Sequence, residues 1–157
     1  MAAKHSAGIL LFRRTGGADG DIEVLLGHMG GPFWARRDVG AWSVIKGEYE
    51  PDEPAQAAAR REFREELGLP VPPGELIWLG EAKQPNGKTV TVWALEGDLD
   101  PALVVPGTFT MEWPRGSRRL QEFPEIDRAA WPALPEAREK IVSGQRVFLD
   151  RLAELLG

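Results

Sequence analysis

The 157-residue chain has no cysteine, which excludes disulfides, thiolate metal centres and a cysteine nucleophile. Histidine occurs twice, and His28 reads as a strand-end residue rather than a ligand. Tyrosine occurs once, as Tyr49. Long apolar runs are missing: the early run at residues 7–12 is short and is followed, not preceded, by Arg13 and Arg14, so it reads as neither a signal peptide nor a membrane span. Positive charge is in deficit, with 19 Lys and Arg against 24 Asp and Glu, a net charge of −5 and a sequence pI near 5.2. That balance argues against binding a nucleic-acid duplex and for local attraction of phosphate. Neither an internal repeat nor a low-complexity segment is present. The expectation is one cytoplasmic domain, residues 1–157, with one core, monomeric or homodimeric and without a membrane partner.

What the chain does have is acid crowded onto one short stretch, residues 47–69. Pro54 suits a first helical turn, Asp52 and Glu53 place negative charge at the positive end of the helix dipole, and Gly68 suits a left-handed stop. At about 100° per residue, Ala59, Phe63 and Leu67 share one stripe, with Ala55, Glu62 and Glu66 on the stripe beside it. Arg60 and Arg64 point the other way. Glu62 and Glu66 stand where a packing helix would carry leucine, and like charges at this spacing cost roughly 0.2–0.5 kcal/mol per pair. Something positive should face Glu62, Glu65 and Glu66. Arg61 is a local candidate but cannot serve all three; a hard divalent cation, Mg²⁺ or Mn²⁺, can. A solvated Glu/Arg helix face is the other reading.

The same stretch resembles the Nudix family. Gly47, Glu53, Arg61, Glu62, Phe63, Glu65, Glu66, Gly68 and Leu69 match every fixed position of its signature, G-x5-E-x7-R-E-U-x-E-E-x-G-U with U apolar. The resemblance implies an α/β/α sandwich around a mixed β-sheet; periodicity alone supports only α/β or α+β. It also implies Mg²⁺, with Mn²⁺ a possible substitute, held by Glu62, Glu65, Glu66 and the backbone carbonyl of Gly47 or Lys46. Glu65 would be ligand or base, Arg61 would orient the site through Glu53, and Lys46 would contact phosphate. Water would be the nucleophile on a diphosphate linkage.

Outside that stretch, residues 6–14 and 22–27 read as strands joined by a turn-rich segment at 15–21. Residues 29–40 form a Gly/Pro-rich connection with Trp34, Arg36 and Arg37, which either stack a base and hold a phosphate or anchor a loop. A short apolar run follows at 42–45. Residues 76–84 and 88–96 flank Pro85-Asn86-Gly87 as a hairpin, with Trp78 and Trp93 packing on it. Residues 97–107 read as an irregular loop and 108–113 as a strand. The segment 114–124 reads as a flexible basic loop, its Arg115, Arg118 and Arg119 either closing over phosphates or merely solvated. Glu125 is similar to a downstream glutamate that several family members use as ligand or base, with Glu122 its competitor. Two short helices are expected from residue 134, the second packing through Phe148, Leu152, Leu155 and Leu156.

The resemblance implies a pyrophosphohydrolase acting on a nucleoside polyphosphate or another nucleoside diphosphate derivative. ADP-ribose and diphosphoinositol polyphosphates are alternatives within the enzyme class, and a nucleotide-binding sensor or interaction module without turnover is the alternative outside it. Ile45 stands where relatives acting on dinucleoside polyphosphates or diphosphoinositols commonly carry proline, and no downstream tyrosine is present.

Overall fold

Residues 6–12 are almost all buried, because the strand they form is covered on both faces. The computed structural model describes residues 4–15 and 21–157. In chain order it contains β1 (His5–Arg14), β2 (Ile22–Val24), β3 (Leu26–Met29), β4 (Trp42–Ser43), β5 (Ile45–Tyr49) and α1 (Ala55–Leu67). There follow β6 (Ile77–Lys83), β7 (Thr89–Glu96), β8 (Thr108–Glu112), β9 (Leu120–Pro124), β10 (Ile126–Ala130), α2 (Leu134–Lys140) and α3 (Arg146–Leu156).

β1 pairs in parallel with β7 along its length, and β7 pairs antiparallel with β6. On its other side β1 takes β5 antiparallel at residues 5–9 and β2 antiparallel at residues 12–14. Alternate residues of a strand point to opposite faces. Ala7, Ile9 and Leu11 therefore join Ala58, Ala59, Phe63 and Leu67 of α1 in one core, while Leu10 and Phe12 join Phe148, Leu149 and Leu152 of α3 in the other. Each fully buried leucine or phenylalanine contributes about 1.5–3 kcal/mol. This is the expected α/β/α sandwich around a mixed sheet. A second sheet runs β10-β3-β4, and β8 and β9 form a separate two-stranded ribbon.

Several expectations are corrected. The expected strand at 22–27 divides at Leu25, whose N–H bonds the Leu11 carbonyl at 2.9 Å, and its second part passes into the other sheet. The run at 42–45 likewise divides at Val44: β4 pairs with β3 and β5 with β1. Val44 N–H is taken by the buried Gln145 Oε1 at 2.9 Å. The basic segment at 114–124 is not a single loop, since its last five residues are β9. Trp78 is 58 % exposed, with its ring edge against Trp93 at 5.4 Å between centroids. On α3, Leu155 is exposed and Leu149 is buried instead, because the helix meets the sheet one position round from the expected stripe. The turn expected at 15–21 lies mostly outside the described residues; its ends meet through Thr15 N–H and Asp21 O at 3.0 Å.

Candidate functional site

The acid-rich helix begins one residue later than its sequence suggests. Pro54, at ψ 136°, is the residue before α1, and no acidic side chain lies in the first turn. Glu53 is committed elsewhere: its two oxygens accept from Arg61 Nε and Nη2, both at 2.8 Å. Gly68 ends the helix at φ 65°, its N–H bonded to Arg64 O, as its left-handed freedom predicts.

Arg61 does more than brace the preceding loop. Its Nη1 also donates to Glu62 Oε1 at 2.8 Å and to Glu65 Oε2 at 3.0 Å, so one guanidinium serves two of the three crowded carboxylates plus Glu53. Glu66 is left out. These contacts raise the Arg61 pKa, with the Glu53 bonds first among the causes, and hold the Glu53 carboxyl below its usual range.

Glu62 is 7 % exposed and lies against β5. A Cβ at Gly47 would come within 2.0 Å of Glu62 Oε2, so only glycine admits the carboxylate there. Burial pushes the Glu62 carboxyl up, while Arg61 opposes that shift. Glu66 has no such partner: burial first, then the charges of Glu125 and Glu62, push it up to about 8, against a weaker pull from Lys46. Glu125, between β9 and β10, is also pushed up by loss of water and drawn back by Lys46. Lys46 is pushed down by burial and then by Lys88, with Glu48, Glu66 and Glu125 acting in the opposite sense.

These groups line one cavity of about 520 Å³, whose wall includes Glu62, Glu65, Glu66, Glu125, Lys46 and Lys88. Glu122 lies elsewhere, paired opposite Thr110 within the ribbon and exposed. As the side chains stand, no three acidic or histidine groups among the described residues close round a single point. The chemistry of the set nevertheless fits a hard cation: besides Glu48, which Lys88 neutralises, four carboxylates line one cavity, three of them pushed up, and a bound cation would relieve that crowding.

The remaining predicted residues divide. Trp34 is half-buried and lines a second cavity, of about 220 Å³, that shares Lys46, Glu66 and Glu125 with the first. Arg36 and Arg37 are exposed and line neither cavity; the Arg37 guanidinium lies 5.6 Å from the Trp34 ring centroid. Arg115, Arg118 and Arg119 occupy the exposed turn of the β8–β9 ribbon, five or more residues beyond Thr108, which does line the cavity. At about 3.3 Å per residue that tip stands roughly 15–20 Å along the ribbon from the acids. His28 is wholly buried, its ring nitrogens against Asp127 at 2.9 Å and the Arg37 carbonyl, which leaves neither for a ligand.

Sequence reasoning missed Lys88 and Glu48, an ion pair at 2.7 Å on the cavity wall, together with buried Ser6. The available signal was the Asn-Gly turn, which puts Lys88 at the mouth of β7; that β7 lies alongside β1 is a long-range pairing.

A family model described as NUDIX domain matches residues 3–152. No curated protein matches significantly. Among solved structures, a C. elegans Ap4A hydrolase in a binary complex is 21 % identical, with 96 % of this chain and 97 % of that one covered at a TM-score of 0.64. The NUDIX domain of Shewanella oneidensis NrtR, complexed with ADP ribose, is 15 % identical over 100 % of this chain and 90 % of that one, with a TM-score of 0.63. A mutT/nudix family protein from Listeria innocua is 16 % identical over 99 % and 95 %, with a TM-score of 0.64. At these identities the likenesses concern the fold, and it is the family model, spanning nearly the whole chain, that shows this protein belongs to the Nudix family.

Proposed function

We propose that this protein is a pyrophosphohydrolase that uses a divalent cation, Mg²⁺ with Mn²⁺ as a substitute, to split a diphosphate linkage in a nucleoside polyphosphate or a related nucleoside diphosphate derivative. The observation that carries the reading is the acid-walled cavity in which Glu66, beside Glu62 and Glu125, has no ion-pair partner among the described residues while two lysines stand on the same wall. Glu62, Glu65 and Glu66, with the Gly47 or Lys46 carbonyl, would hold the cation, and Glu125 would add a ligand or accept a proton.

When bound, the cation supplies charge neutralisation on the diphosphate oxygens and a water of lowered pKa. The chain's own residues do the rest. Lys46 and Lys88 attract and orient the phosphates inside an otherwise acidic cavity. Arg61 fixes Glu62 and Glu65 against the Glu53 loop, which sets donor positions before substrate arrives. Glu125, whose carboxyl is pushed up by loss of water and drawn back by Lys46, stands on the cavity wall where it could take a proton.

The test is release of phosphate or nucleoside monophosphate from NTPs, dinucleoside polyphosphates, ADP-ribose and diphosphoinositols with Mg²⁺ or Mn²⁺. Cation-dependent turnover of at least one is expected. Nucleotide binding without turnover on the whole panel would replace this reading with a sensor.

A further inference from the structure

The β8–β9 ribbon belongs to neither of the larger sheets, and the outer edge of β9 is exposed. In an antiparallel pair, alternate residues turn their N–H and C=O toward the partner strand, and the residues between them turn theirs away. Trp113 N–H bonds the Arg119 carbonyl and Glu125 N–H the Gly107 carbonyl, so the odd-numbered residues of β9 face β8. Leu120 and Glu122 face outward. No strand pairs with that edge among the described residues. Leu120, Gln121 and Glu122 are all exposed, Leu120 at 75 %, more than any other large apolar residue described. An unpaired edge of this kind is a template for a further strand.

The usable edge has two defined ends. Arg118 takes φ 62°, in the left-handed region, which breaks the extended run on one side. On the other side the next outward position after Glu122 is Pro124, which has no N–H to give. Positions 118 and 124 are equidistant from Gln121. A second β9 laid antiparallel over the whole edge therefore meets the first about a two-fold axis at Gln121, the condition for an isologous contact between identical chains. In that register Leu120 exchanges both backbone bonds with the second copy's Glu122, and Glu122 does the same with the second copy's Leu120. Arg119 comes opposite the second copy's Phe123 ring, and Arg118 lies diagonal to the second copy's Glu122. Within their own chain, neither Arg118 nor Glu122 has an ion-pair partner among the described residues. An acidic peptide would answer the arginine but not the glutamate; β9, basic at one end and acidic at the other, answers both.

We propose that the outer edge of β9 is a self-association surface whose occupant is the β9 of a second copy, so that two ribbons join into one four-stranded antiparallel sheet. The contact is independent of the reaction and does not rest on the hydrolase reading.

The test is sedimentation equilibrium of the whole protein into the millimolar range, together with amide hydrogen exchange. An edge of five residues is smaller than a standard interface, so a dimer with Kd on the order of 10–1,000 μM is expected. Exchange at the Leu120 and Glu122 amides should slow as concentration rises, while the Gln121 amide, already turned toward β8, should change less. Arg118→Glu and Glu122→Arg should each weaken association about tenfold, since each reversal sets two like-charge pairs into one dimer. The doubly exchanged chain, Arg118→Glu with Glu122→Arg, should associate again, and an equimolar mixture of the two single variants should pair with each other. Circular dichroism establishes that each variant is folded. A monomer at every concentration, a dimer indifferent to both reversals, or protection that leaves out Leu120 and Glu122 would overturn the proposal. A monomer that instead binds a polyglutamate peptide at this edge would overturn the second copy as its occupant.

Discussion

At the scale of single residues, the division of labour among the three helix glutamates follows from where Arg61 reaches. Glu62 and Glu65 share its Nη1, and Glu66 does not. Glu66→Gln should therefore lower kcat by several kcal/mol of lost charge stabilisation, on the order of a hundredfold or more, while the metal-free fold becomes more stable because an uncompensated acid is gone. Near-normal turnover of this variant at limiting Mg²⁺ would remove Glu66 from the ligand set. Arg61→Ala frees two cavity carboxylates and Glu53 together, so it should cost about 10- to 100-fold in kcat/KM. Arg60→Ala and Arg64→Ala should stay within about twofold, as surface changes do. Equal effects of the three would show that helix charge in general, not this one guanidinium, matters. Gly47→Ala tests placement alone: the added methyl needs the space of the Glu62 carboxylate, so activity should collapse while circular dichroism is unchanged.

At the scale of elements, the helix and the β6–β7 hairpin were legible because their signals are local. Gly68 stops α1 where a left-handed residue belongs, and Asn86-Gly87 turns the β6–β7 hairpin through Gly87 at φ 87°. What escaped was set by distant pairing. Nothing near Lys88 announces that Glu48 will stand 2.7 Å away, since β1 lies between their strands. The ribbon is instructive: residues 114–124 read as one basic loop, either closing over phosphates or merely solvated, yet residues 120–124 pair with β8 and leave the arginines at an exposed tip. Arg118→Ala with Arg119→Ala should accordingly raise KM less than Lys46→Ala, across short and long phosphate chains alike. Were the double variant the more damaging, the ribbon would have to fold over the cavity when substrate binds. The choice between Glu125 and Glu122 also belongs to this scale, because successive positions on β9 and its exit face different surroundings. Glu125→Gln should lower kcat with little change in KM, and Glu122→Gln should do neither.

For the whole molecule, the crowded acids tie folding to pH and to metal. The Glu66 carboxyl is near 8 in the folded protein against an ordinary 4.5, so between those values the folded state holds more protons than the unfolded one. Stability of the metal-free protein should then fall as pH rises through that window. A cation competes with the same proton, so the Tm increase given by Mg²⁺ should grow from pH 6 toward pH 8.5. Scanning fluorimetry with and without EDTA reads both slopes, and both should flatten in Glu66→Gln; a pH-independent Mg²⁺ shift would place the cation away from this carboxyl. The division of one extended segment at Val44 has its own consequence at this scale. The strand that carries Lys46 and Gly47 starts from a joint whose N–H is latched by Gln145, a residue just before α3 on the face opposite α1. The C-terminal helix thus sets the zero point from which the acid-facing strand is measured. Loosening the latch, as in Gln145→Leu, leaves a buried N–H unanswered at about 1–3 kcal/mol, and the resulting play in the joint reaches Lys46 on the cavity wall two residues on.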